Sequence, residues 1–352
     1  MSQRLSLLWI ALLVPSTVVA GDRVATPLEN GMLYRVVEPP QIHRLEKPAF
    51  VSVALAASFM GEFEPVIGVA EGNDSKAYPT WFMDGYSVIN DQIGKLPIVV
   101  TWSPFSFTSM VWIREVDGET LEFDDSGELW KDGLVMVDRK TQSRWSHLEG
   151  RALDGPMKGK RLKRLTSTHT SWGKWRSLYP ETVCLTKLGR DITASDFVNY
   201  YEREEQLGPA SSQNPDSRLV GKELVCGFQI DGQSVVVPLY ALVERKQFKL
   251  EVGKVPLEIE FDHLSETAVV YRRDRASEPL DLVRLDFGSG ESYIKDKTSG
   301  TMWLTYSGRG VSGPLSNTPL ERVPSTLSFW FVWASHYPLS MIWEEPGSSP
   351  RP

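Results

Sequence analysis

The chain has 352 residues, 41% hydrophobic and 24% charged, a composition that suits two globular domains and excludes a disordered polymer. A net charge of −7 and a pI near 5.4 exclude a basic, phosphate-binding face as the organising feature, so no nucleic-acid partner is expected. The five histidines show neither His-x-His nor His-Glu-x-x-His spacing, so no metal site and no cofactor are expected.

Taken in order, residues 1–20 read as a signal peptide: Arg4, the apolar run Leu5 to Val14, then Val18-Val19-Ala20 as a small-residue cleavage site. This predicts an exported protein, periplasmic or extracellular. No later run approaches eighteen apolar residues, so the mature protein is expected to have no membrane span. Residues 21–64 read as an N-terminal arm, broken at Pro39-Pro40, with Phe50 to Met60 forming a short helix or a strand.

Pro65 to Ala70 opens a first unit as a strand, and Trp81 to Ile89 leans towards a helical turn. Leu96 to Trp102 is a buried strand. Ser109 to Val116 and Glu119 to Phe123 flank Asp117-Gly118, a dipeptide that accepts the positive φ of a tight hairpin. Leu134 to Asp138 and Ser143 to Ser146 follow as strands. Thr168 to Leu178 is expected as a helix, with Trp172 and Trp175 on one face and Pro180 as its stop, and Thr182 to Thr186 as a last strand.

Residues 189–222, with Glu, Ser, Asn and Pro gathered in the middle, read as a connection. Beyond it, Val235 to Leu239, Leu257 to Phe261, Ala268 to Arg272, Leu280 to Phe287 and Ser292 to Lys295 are strands, and Ser325 to Ser335 is a helix. Residues 345–352 read as a disordered tail.

The second series echoes the first. Trp145 to Pro180 realigns with Trp303 to Pro338 at a constant offset of 158, with fourteen of thirty-six positions identical. Upstream, an offset of 159 pairs Gly68/Gly227, Pro79/Pro238, Gly94/Gly253 and Pro97/Pro256. The repeat predicts a mainly β (α+β) chain of two tandem homologous units, 65–188 and 223–344, each an antiparallel sheet or barrel with one C-terminal helix.

Cys184 and Cys226 are the only cysteines, and an even pair in an exported chain suggests a disulfide. Yet they align with Ile342 and Ile67, positions of core aliphatics. Two buried free thiols are the other reading.

Glu64-Pro-Val-Ile-Gly, Ala77-Tyr-Pro79, Ile89-Asn-Asp91, Asp138-Arg-Lys-Thr-Gln-Ser143, Gly155-Pro156 and Thr170-Ser-Trp172 resemble the first half of the bacterial exported family of domain of unknown function 3179. Arg218-Leu219, Lys222-Glu-Leu224, Gly313-Pro314 and Phe329-Trp-Phe-Val-Trp333 resemble its second half. The resemblance implies no established reaction. It does imply a thiol site, Thr-x-Cys-Pro-x-Cys, which is selenoprotein-related in some members.

Here the same stretch is Thr101-Trp-Ser-Pro-Phe-Ser106, with serine at both cysteine positions. A hydroxyl forms no disulfide and does not ionise near neutral pH, so redox chemistry and thiolate metal binding are not expected. The second unit offers Asp262 and Ser265 instead. A vestigial site would comprise Ser103, Ser106, Asp138, His147 and His169, with the serines at a strand end near the surface or a cleft. Trp81, Trp102, Trp112 and Trp130, unmatched in the repeat, are better candidates for an exposed aromatic cleft than the recurring tryptophans, with burial in the core as the favoured reading.

The function expected is that of a non-redox binding or scaffold protein that has lost the family's thiol site, its partner an unidentified protein or small molecule. The alternative is a periplasmic enzyme or metal-handling factor using Ser, His and Asp where relatives use Cys-x-x-Cys.

Overall fold

Short runs rich in Val, Ile, Thr and aromatic residues, punctuated by glycine at positive φ, dictate a chain of hairpins. The computed structural model describes residues 25–28, 31–37, 42–186, 197–209, 212, 214–243, 245–275, 278–287 and 292–343. The expected signal peptide and tail, and part of the 189–222 connection, lie outside them. The described residues are mainly β.

The first half begins with the hairpin Pro65–Glu71/Asp74–Pro79 and the short helix Thr80–Met83. An antiparallel meander of Val88–Ile93, Leu96–Ser103 and Thr108–Ile113 follows. Phe123–Trp130, Gly133–Asp138 and Arg144–Ser146 build a second sheet, which the N-terminal strand Met32–Arg35 extends. The chain then returns as Ser167–Ser171 to pair with Pro65–Glu71, forms the helix Trp172–Leu178, and adds Val183–Leu185 parallel to Asp74–Pro79.

The second half runs through the same kinds of element in the same order. Leu224–Ile230 and Gln233–Pro238 form the hairpin, Leu239–Val243 the short helix, and Gln247–Val252, Val255–Asp262 and Thr267–Arg272 the meander. Ser325–Phe329 returns to Leu224–Ile230, Trp330–His336 is helical, and Met341–Ile342 runs parallel to Gln233–Pro238.

Several expectations need correction. Thr168 to Leu178 is not one helix: Ser-Thr-His-Thr-Ser is a strand up to Ser171, and the helix starts at Trp172, where Ser171 Oγ accepts from the Lys174 N–H. Ser325 to Ser335 divides in the same way, with the helix beginning at Trp330. Serine, threonine and histidine are poor helix formers, and an open strand edge in the opening hairpin captures them first. One helix per unit is also too few, because Thr80–Met83 and Leu239–Val243 are helical as well.

The core explains the spaced tryptophans and glycines. Trp175 lies against Gly68, where a Cβ would come within 2.2 Å of the indole, and Trp333 lies likewise against Gly227 at 2.4 Å. Trp172, Trp175, Trp330 and Trp333 are all buried. So are Trp81, Trp102, Trp112 and Trp130, as the core reading has it and against an exposed cleft: each fills a core next to its strand or turn.

Cys184 and Cys226 are both free and buried, so the disulfide reading is corrected. Each thiol packs in the apolar cluster of its own half, Cys184 with Ala77 and Leu185, Cys226 with Val237 and Leu327. Burial pushes both thiols up to about 12.

The halves are joined by packing. One apolar cluster includes Val99, Met110 and Trp145 from the first with Val225, Trp330 and Trp333 from the second.

Candidate functional site

Ser103 ends the strand Leu96–Ser103, and the turn Pro104-Phe105-Ser106-Phe107 leads into Thr108–Ile113. Phe107 adopts a positive φ of 52°, a conformation costly for an aromatic residue and here held by its surroundings. Ser106 N–H and Oγ–H both donate to Ser103 O, at 3.2 and 3.3 Å, and Ser106 O accepts from Thr108 Oγ1 and from the Phe329 N–H of the other half.

Both serines are buried, at 2% and 0% exposure, which corrects their expected place near a surface or cleft. The reason lies in the connection between the halves. Its helix Val198–Glu202 covers the turn: Tyr200 OH donates to Phe105 O at 2.8 Å, and Phe105 meets the Phe197 and Tyr200 rings edge-on. Lys222 secures the lid, donating to Tyr200 O and Arg203 O with its ammonium 3.6 Å from the Tyr200 ring centre.

Of the other three candidates, His147 and His169 pack beside the strand and turn that carry the serines, with no hydrogen bond to either serine, and Asp138 lies apart. His147 Nδ1 lies 3.2 Å from Thr101 Oγ1, and its buried Nε2 has no partner; burial holds the ring down to about 3. His169 is wedged between the Trp102 and Phe107 rings with both ring nitrogens unpartnered, and burial lowers it to about 4. Both imidazoles are therefore neutral at physiological pH. Asp138 belongs to a turn: its carboxylate accepts from Thr141 N and Oγ1, Ser143 N and Trp145 Nε1. None of these partners is Ser103 or Ser106, so no serine has the adjacent base that nucleophilic catalysis needs. Among the described residues, no group of three or more His, Cys, Asp or Glu side chains is placed to hold a metal ion.

A second place was not anticipated from the sequence. Between the N-terminal segment and the sheet of Phe123–Trp130 lies a polar cleft of about 730 Å³, lined by Arg35, His43, Arg44, Asp125, Glu128 and Arg144, with Tyr86 in its wall. A bulge builds it, since the ladder with Gly133–Asp138 slips between Asp125 and Glu128. Gly127 has φ 71°, and a Cβ there would stand 2.2 Å from Val37 O. Only glycine permits this approach, through which Val36 and Val37 N–H groups donate to Gly127 O and fasten the N-terminal segment over the cleft.

The charges alternate. Arg35 pairs with Glu128 at 2.9 Å, Arg44 with Asp124 at 3.0 Å, and Arg144 forks onto Asp154 with Glu128 3.5 Å away. Among the described residues Asp125 has no arginine partner: it accepts from the Gly127 N–H at 2.8 Å, and burial raises its carboxyl to about 6. The only hint in the sequence was Asp-Asp-Ser-Gly interrupting an apolar strand, a pattern that equally fits a loop.

Residues 40–340 match a family model described as Protein of unknown function (DUF3179). No curated protein and no solved structure matches the chain.

Proposed function

The chain belongs to the DUF3179 family of unknown function, and we propose that this member is an exported protein, built from two copies of one fold, that acts by binding rather than by redox chemistry. The observation that carries the reading is the sealed turn: where the resemblance implies a dithiol, Ser103 and Ser106 are both buried, Ser106 Oγ donates to Ser103 O, and Tyr200 is bonded to Phe105 O between them. A polar cleft of about 730 Å³ in the first half is of the size of small-molecule sites, which are usually preformed.

Support for the duplication comes from matched detail. Trp175 Nε1 donates to Thr182 Oγ1 and Trp333 Nε1 to Ser340 Oγ, both at 2.9 Å. Asp138 receives the Thr141 N–H and Asp296 the Ser299 N–H. Phe107 and Glu266, 159 residues apart, share a positive φ of 52° and 50°. On this reading residues 65–188 and 223–344 are the copies, 189–222 joins them and 21–64 is an arm on the first.

Elemental analysis of the purified protein tests the chemistry. Stoichiometric copper, zinc or iron would overturn the binding or scaffold reading in favour of a metal-handling factor or metalloenzyme. Terminal sequencing of protein recovered from outside the cytoplasm tests export, with Gly21 expected as the first residue.

A further inference from the structure

The polar cleft differs from a simple anion site. Three guanidinium groups face it, but their carboxylate partners, Glu128 in the lining with Asp124 and Asp154 behind, offset most of that charge. A purely anionic ligand would gain from the arginines and lose to Glu128 and Asp125. A purely cationic one would meet the reverse. A lining with both signs and little net charge selects a ligand with both signs.

The free hydrogen-bonding capacity says which sign goes where. Each guanidinium has five N–H donors. Arg35 uses Nη1 on Ser126 O and Nη2 on Glu128, Arg144 uses Nε and Nη2 on Asp154 and turns Nη1 towards Glu128 at 3.5 Å, and Arg44 uses Nη2 on Asp124; with two N–H groups on each Nη, each guanidinium keeps at least one donor for another acceptor. Asp125 is the carboxylate of the lining that no guanidinium neutralises. It is the last residue in register before the bulge, opposite Met136, half-buried, with only donors of its own neighbourhood bonded to it.

We propose that this cleft binds a small zwitterion, an α-amino acid or short peptide, with the ligand's carboxylate received by Arg144 and Arg35 and its ammonium by Asp125. The inference rests on the binding reading above and adds the ligand class. A cleft of about 730 Å³ is within the range of small-molecule sites and has room for more than a single amino acid. The second half lacks the site: the strand Leu282–Asp286 pairs with Ser292–Asp296 without a bulge, Arg284 stands opposite Ile294 as Asp125 stands opposite Met136, and Met302 stands opposite Lys295 as Arg144 stands opposite Val137.

The ligand's ammonium needs the charged form of Asp125, so binding should release a proton. The groups sharing the cleft with Asp125 are Arg35, His43 and Arg44 from the N-terminal segment, Tyr86 beyond the Thr80–Met83 helix, Glu128 on its own strand and Arg144 across the sheet, with Ser87 and Asp124 adjoining. Burial holds Asp125 at about 6, and an ammonium would draw it down, so affinity should rise with pH through that region.

Isothermal titration of the full chain with L-alanine, L-alanyl-L-alanine, glutarate, putrescine and glucose, in two buffers of different ionisation heat at pH 5.5 and 7.5, tests this. Alanine or its dipeptide should bind, more tightly at pH 7.5 and with proton release at pH 5.5. Asp125→Asn and Arg144→Met should each weaken it about tenfold or more, the scale of a lost charge-assisted hydrogen bond. If Arg144→Met fails to fold, Arg35→Gln carries the same test.

Glutarate, putrescine or glucose binding as tightly as the zwitterions would overturn the ligand class, and so would unchanged affinity in Asp125→Asn. The binding reading survives those results if the probe is lost in Arg144→Met. No binding by any probe overturns the ligand class as well. Native mass spectrometry of the protein as purified then judges the binding reading separately, by whether any small molecule is carried.

Discussion

Thr170 and Thr267 share a hydroxyl hydrogen bond of 2.6 Å that joins a strand of the first half to a strand of the second. Thr108 donates to Ser328 at 3.1 Å in the opposite sense. Thr108 lies 159 residues before Thr267, and Thr170 lies 158 before Ser328. Residue i of one half therefore meets j of the other while the counterpart of j meets the counterpart of i. That reciprocity is what a two-fold contact between like surfaces would give within one chain, and it supports the proposed duplication as a pair packed face to face.

Such a contact predicts a single folding unit. Urea denaturation followed by tryptophan fluorescence and by far-ultraviolet circular dichroism should give one coincident transition. In a double-mutant cycle, Thr170→Val and Thr267→Val should couple by about 0.5–1 kcal/mol. Two separated transitions, or strictly additive changes, would speak against the reciprocal interface.

The glycine–tryptophan pairs predict steric failure in both halves. Gly68→Ala would push a methyl against Trp175, and Gly227→Ala against Trp333. Neither indole can retreat freely, since each donates its N–H to a hydroxyl at 2.9 Å. Each alanine should cost about 1–3 kcal/mol by overpacking, and Trp175→Ala or Trp333→Ala about 3–5 kcal/mol. Urea midpoints read these losses, and the two halves should respond alike.

Asp125 predicts a pH dependence of stability with a definite sign. Its folded pKa of about 6 lies above the unfolded value, so the folded state holds the proton longer, and stability should fall as pH rises from about 4 to about 6. The full change is about 3 kcal/mol on the usual conversion of pKa to free energy. Buried Glu258 and Glu260, both raised by desolvation, contribute slopes of the same sign. The difference between wild type and Asp125→Asn isolates the Asp125 share; an unaltered slope in the variant would refute the assignment.

How far these features could be read in the sequence depended on what each residue type encodes locally. Paired glycines, prolines and tryptophans carry the repeat expectation because each fixes a turn or fills a core wherever it stands. Ser167–Ser171 did not announce a strand, since its partner Pro65–Glu71 lies a hundred residues away, and with Trp172 and Trp175 following, the local pattern favours a longer helix. The bulge at Asp125 was invisible because it depends on where Gly133–Asp138 and the N-terminal segment lie. The lid over the serines was hidden too: Phe197, Tyr200 and Tyr201 sit in a connection whose polar composition suggested an exposed loop.

That lid gives the last prediction. Cys184 and Cys226 are buried with pKa values of about 12, so at pH 8 only about one thiol in ten thousand is a thiolate. The native protein should therefore react negligibly with Ellman's reagent until it unfolds, leaving a silent background for new thiols. Ser106→Cys places a thiol at the position the family resemblance implies, and with Tyr200, Phe197 and Phe105 packed over the turn it too should stay silent. Removing the cover in Ser106→Cys/Tyr200→Ala should expose it, raising the labelling rate by at least tenfold while the urea midpoint still shows a folded protein. Ser106→Ala should cost no more than about 1 kcal/mol, the value of one hydroxyl hydrogen bond, and leave any ligand affinity of the cleft unchanged. Rapid labelling of Ser106→Cys with Tyr200 in place would mean that the turn opens readily in solution, and the argument that this turn is sealed would fall with it.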